Sequence, residues 1–112
     1  MAISKPVKRP GRKREAAPWT FLTNHTHVLL CVARDPEIRM RDVAQAVGVT
    51  ERAVQRIVAE LEAGGYVIRK RDGRRNRYEV RASLPLRHPI EKHCEVSALL
   101  TILEGAKVTR GR

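Results

Sequence analysis

Apolar residues recur at helical spacing in three stretches of the chain, then alternate over a short strand pair, then return to helical spacing. Val28, Leu29, Val32 and Ala33 predict a helix over Asn24–Arg34 with those four facing inward, and Asp35-Pro36 stops it because the residue before a proline is driven out of the α region. Val43, Ala44 and Val47, three and four apart, predict a second helix over Met40–Val47 that Gly48 breaks. Thr50 is suited to cap a third helix, whose Val54, Ile57, Val58 and Leu61 stand at i, i+3, i+4 and i+7 and so point to one side. Gly64 and Gly65 end it.

Beyond them Tyr66 and Ile68 on one strand and Tyr78 and Val80 on the other read as the covered face of a hairpin, with Asp72-Gly73 as its turn signal. Leu84-Pro85-Leu86-Arg87-His88-Pro89 reads as an extended linker and Ile90–Glu104 as a helix with the stripe Val96, Leu99, Leu100 and Leu103. That stripe has two possible partners, the Trp19 and Phe21 region of the same chain or the same helix of a second copy. The homodimer is the preferred reading, since a second copy would cover this stripe and extend the small core of a short chain. The stripe is too short to establish a coiled coil.

The 112 residues suffice for one domain, with a modest core that association with a second copy would help. No apolar run approaches the roughly 20 residues needed to span a bilayer, and no leader with an apolar centre begins the chain, so a cytoplasmic location is expected. The two cysteines, Cys31 and Cys94, lie in different apolar stretches and are read as reduced. The formal charge of +11 is unevenly placed. Residues 1–18 carry six Lys/Arg against one Glu, and residues 66–81 carry seven against two acids, while residues 19–65 are close to neutral. Both basic segments can follow a phosphate backbone; a merely solvated face is the bland alternative, and it does not account for seven cations around one turn.

Ala44, Gly48, Val54 and Ile57 together resemble the helix-turn-helix spacing. A small Ala lets two helices cross closely, Gly permits a positive φ in the turn, and the branched residues wedge the second helix at its angle. With the hairpin that follows, Asn24–Val80 is similar to the winged helix-turn-helix of the MarR family of transcriptional regulators. The resemblance implies an α+β, mainly α fold, a three-helix core plus a β-hairpin wing, here with an additional C-terminal helix. It implies a short strand at Glu37–Arg39 joining the wing sheet. Around the DNA-binding domain (19–82), residues 1–18 are rich in cations and proline with almost nothing to bury and are expected to form a disordered basic arm, 83–104 a linker and dimerisation helix, and 105–112 a disordered tail. One departure is Arg39 at the cap of the second helix, where Ser or Thr is usual.

On the third helix Arg52, Gln55 and Arg56 share the face opposite Val54, Ile57 and Leu61 and lie in its first two turns, so they are the candidate base readers; Arg matches guanine O6 and N7, and Gln matches adenine. Ala53 can touch a thymine methyl, Thr50 and the helix N-terminus can hold a phosphate, and Glu51 can accept from cytosine or complement the helix dipole, the dipole role being preferred. In the wing, Arg69, Arg71, Arg74, Arg75 and Arg77 are candidates for phosphate or minor-groove contacts, Arg74 and Arg75 foremost, with Asn76 for turn geometry or a backbone contact. In the arm, Lys8, Arg9, Arg12, Lys13 and Arg14 read as an unspecific basic clamp; KRPGRKR distantly resembles the AT-hook but lacks its Arg-Gly-Arg-Pro order. An RNA role is the weaker alternative, because RNA-binding sheets stack bases on aromatics and both hairpin tyrosines look like core.

No acid pair, nucleophile elbow or phosphate-binding glycine loop is present, so catalysis is not expected, nor a cofactor. His88, Glu91, His93 and Cys94 invite a metal reading, but no second group of ligands has matching spacing, and helix-start polar residues explain them as well. The expected function is that of a sequence-specific double-stranded DNA-binding regulator, a repressor by promoter occupancy; the competing class is an architectural protein coating DNA with little sequence preference.

Overall fold

The computed structural model describes residues 19–104, so the basic arm with Lys8, Arg9, Arg12, Lys13 and Arg14 and the tail beyond 104 lie outside the described residues. The element order is α1 (Asn24–Arg34), α2 (Met40–Val47), α3 (Glu51–Ala63), β1 (Val67–Asp72), β2 (Arg75–Val80) and α4 (Val96–Glu104). It is a winged helix: three packed helices, a two-stranded antiparallel hairpin, and a C-terminal helix.

The turn between α2 and α3 is made by Gly48, at φ 88 and ψ 33, whose N–H and that of Val49 both bond the Ala44 carbonyl. A left-handed residue there closes α2 and redirects the chain within three residues. Thr50 then starts α3 by accepting the Ala53 N–H at 3.0 Å. The far end of α3 closes as a Schellman motif, with Tyr66 N–H on Leu61 O, Gly65 N–H on Glu62 O, and Gly65 at φ 85. As the spacing implied, Arg39 stands at the start of α2 without a side-chain cap bond.

Three helical faces meet in one core. Val28, Leu29 and Val32 of α1, Val43 and Ala44 of α2, and Val54, Ile57, Val58 and Leu61 of α3 are all buried, joined by Val67 and Tyr78 from the base of the wing and by Val96. Val28, Val43 and Val54 are fully covered.

Four expectations are corrected. The inward residue of β1 is Val67, not Ile68: in the register Val67 faces Val80 and Arg69 faces Tyr78, whereas Ile68 faces Glu79 on the other side. A shift of one residue exchanges the two faces of a strand, and the Schellman turn sets the strand's phase. Glu37–Arg39 is not a strand; it contributes one backbone bond through its neighbour, Tyr78 N–H to Pro36 O at 2.9 Å, because α2 begins immediately afterwards.

The last helix begins at Val96 rather than Ile90. Residues 88–94 instead form successive tight turns, Glu91 N–H to His88 O and Cys94 N–H to Glu91 O, with Ile90 N–H donating to His88 Nδ1. Those bonds use the groups a helix would need, and Leu86 N–H on Cys94 O folds the segment back on the linker. Finally, the alternative of packing α4 on Trp19 and Phe21 gains no support. The two rings contact each other edge to face at 5.1 Å, and both are exposed. Val96 sits in the chain's own core and so is withdrawn from the dimer stripe, while Leu100 packs at the core's edge.

Candidate nucleic-acid interface

The core fixes what α3 shows to solvent. With Val54, Ile57, Val58 and Leu61 buried, the 3.6-residue period turns Arg52, Gln55 and Arg56 outward, and all three are exposed. Ala53 is half-buried and Glu51 exposed. Glu51 stands in the first turn, where its charge complements the helix N-terminus. The Thr50 oxygen is engaged as a cap acceptor, which leaves its hydroxyl hydrogen available to donate.

The wing's cations fall into two groups that the sequence did not separate. Arg69 makes a two-pronged contact with Glu62 of α3, Nε to Oε2 at 3.1 Å and Nη2 to Oε1 at 3.0 Å. Arg77 donates to Glu37 Oε2 at 2.7 Å, and Lys70 to Glu79 Oε2 at 3.3 Å. The first two ties join the hairpin to α3 and to the segment before α2, and the third links its two strands. Arg71 folds onto the turn, its Nε donating to Gly73 O at 3.2 Å. At the tip the loop is Gly73-Arg74, opened by Gly73 at φ 66. Arg74 and Arg75 are exposed there, and among the described residues neither has a carboxylate within ion-pair distance.

Between the tip and the helices runs a groove of about 550 Å³ that brings Arg74, Arg75 and Asn76 together with Arg39, Arg41 and Glu51. Arg39 and Arg41 were missed by the sequence reading. No local signal marked them: they stand at the start of α2, and only the packing of α2 against α3 and the wing brings them beside the start of α3, where backbone N–H groups favour an anion. The groove joins α2, α3 and the wing into one positively charged border.

Elsewhere, a mainly apolar cleft of about 500 Å³ lies between α1, the end of α3 and the linker, with His25, Glu60, Tyr66 and Arg87 on its walls. The Tyr66 hydroxyl donates to Pro85 O at 2.6 Å and ties the linker to the hairpin's entry. His25 Nε2 lies 2.7 Å from Glu60 Oε1, and that bond, opposed by some burial and helped by the nearby charges of His25 and Arg56, holds the Glu60 carboxyl below its ordinary range. Burial on α1 pushes the Cys31 thiol up, against a smaller opposing pull from Arg34. His25 and His27 diverge: His25 turns to Glu60 and His27 Nδ1 to Asn24. Among the described residues no three His, Cys, Asp or Glu side chains gather as a metal site, and no helix is long and apolar enough to cross a membrane.

A search of curated proteins finds no match to the chain. A family model does match, and it spans α1, α2, α3, β1 and the first half of β2 but not α4: over residues 20–77 the sequence fits the description "MarR family". With a turn closed by Gly48, an exposed arginine-bearing face on α3 and a basic hairpin beside it, the chain belongs to the MarR family of DNA-binding transcriptional regulators.

Proposed function

We propose that the protein is a sequence-specific repressor that acts as a homodimer by occupying promoter DNA in the cytoplasm, on the nucleoid. In this reading α3 enters a major groove, Arg52, Gln55 and Arg56 read base edges, and Thr50 with the helix N-terminus holds a phosphate. Arg74, Arg75 and Asn76, together with Arg39 and Arg41, follow the flanking backbone, and the arm of residues 1–18 adds unspecific attraction. Arg69 and Arg77 act at one remove, bracing the wing through Glu62 and Glu37. The observation that carries the proposal is the groove itself: one continuous border on which arginines of α2 and of the wing tip flank the start of α3.

The test is to incubate the protein with sheared genomic DNA at about 0.15 M salt and sequence the retained fragments, because contacts made only to phosphates weaken by orders of magnitude as salt rises. A recurring inverted repeat is the expected result. Uniform coverage of the genome would show an architectural coat with little sequence preference and overturn the repressor reading.

A further inference from the structure

Arg52, Arg56 and Glu60 stand in one i, i+4 row along α3. The two arginines repel each other within that row, and the acid closes it. Arg56 Nη1 lies 3.8 Å from Glu60 Oε2, while the other oxygen of the same carboxylate is held at 2.7 Å by His25 Nε2 from α1. A pair with the cation on the N-terminal side is the less favourable orientation for a helix, and both partners are largely exposed, at 64% and 50% for Arg56 and Glu60. By itself such a contact would do little to order Arg56. The bond from His25 changes this: a side chain of a different helix, packed on the same core, fixes one oxygen of the carboxylate and leaves the other facing the arginine.

We propose that Glu60, anchored by His25, is a positioning residue that holds the Arg56 guanidinium along the helix face, away from Arg52 and from the flanking phosphates, and so sharpens its reading of a base. The inference rests on the assignment of Arg56 as a base reader. An arginine at a protein–DNA border has two destinations, a base edge, which carries sequence information, and a phosphate, which carries none. A fixed acid behind the guanidinium favours the first. Its own negative charge also disfavours close approach of the backbone at that point, which lowers binding to DNA of every sequence. The size of the effect is that of an exposed i, i+4 pair, roughly a twofold change in preference.

The experiment measures competition between the fragment recovered in the genomic selection and its single-base-pair variants, for the full chain and for Arg56→Ala, Glu60→Gln and the double variant. Glu60→Gln keeps an oxygen acceptor for His25 and removes the charge that faces Arg56. Arg56→Ala is expected to relax preference at one base pair of each half-site by about fivefold or more. Glu60→Gln is expected to lower preference at that base pair alone by about twofold and to add nothing in the Arg56→Ala background. If Arg56→Ala relaxes preference and Glu60→Gln leaves the ratio unchanged, or lowers affinity equally at every base pair, the positioning role is wrong while the reader stands. If Arg56→Ala itself leaves every base preference intact, Arg56 is not a reader and both assignments fall. Thermal melting of each variant separates these outcomes from loss of fold.

Discussion

Arg74 and Arg52 are chemically alike and occupy different surroundings, one at a wing tip beside other cations and one on a helix face backed by the core. Phosphate contacts position a protein and base contacts specify its site, so the two substitutions have different signatures. Arg74→Ala combined with Arg75→Ala is expected to weaken binding to all sequences and to flatten the plot of log affinity against log salt by about two units, whereas Arg52→Ala relaxes base preference and leaves most of that slope. Binding titrations at several salt concentrations check both. Identical behaviour of the two sets would remove the division between clamp and reader. Glu60 also predicts an acid effect. Its folded pKa is depressed, chiefly by the bond from His25, so the stability it contributes is present above the ordinary carboxylate range and is lost as pH falls through the lowered value. Glu60→Gln is therefore expected to lower stability near neutral pH slightly and to cause less further loss below about pH 4, as followed by urea unfolding across pH.

At the level of elements, the α2–α3 unit depends on a few local devices and one shared face. Thr50→Ala removes the acceptor for the Ala53 N–H and is expected to cost about 1 kcal/mol. Ile57→Ala empties a site 4% exposed at the meeting of three helices and is expected to cost about 2–5 kcal/mol. The midpoint of urea unfolding should follow that order, and a smaller loss at Ile57 than at Thr50 would mean that packing of α3 on α1 and α2 is not what holds the unit. The helix limits of α1, α2 and α3 were legible because periodic apolar positions run into a stop in each, Asp35-Pro36 for α1, Gly48 for α2 and Gly64-Gly65 for α3, with Thr50 also capping the start of α3. The wing was legible as a hairpin with its turn at Gly73, but its phase was not. Tyr66, Val67 and Ile68 are all apolar, so alternation alone leaves the choice of inward residue open, and the end of α3 makes it. For α4 the sequence offered apolar residues from Ile90 onward, and local turn bonds around His88 and Glu91 claimed that stretch.

For the whole molecule, the unresolved balance is between a modest core and exposed apolar surface. Trp19, Phe21, Ile90 and Ile102 are exposed, and Leu99 and Leu103 of α4 are only half covered. The proposed dimer buries the outer side of α4, now without Val96. Leu99→Asp with Leu103→Asp is accordingly expected to yield a folded monomer by sedimentation and to lose the advantage of an inverted repeat over a single half-site, since the two-site gain vanishes with the second copy. Unchanged mass in solution would place the dimer contact elsewhere or remove it. The linear order of residues by itself determined the three-helix unit, the capped start of α3, the outward set Arg52, Gln55 and Arg56, and the concentration of charge in the wing, because each follows from spacing within about a dozen neighbours and needs no partner from afar. Only the tertiary structure decided which charges remain available. Arg69 and Arg77 meet Glu62 and Glu37 across 7 and 40 residues, His25 reaches Glu60, the i+4 neighbour of Arg56, across 35, and Arg39 and Arg41 join the wing tip in one groove. Ion pairs of that kind depend on which elements the core brings side by side, and no local pattern of residues encodes them.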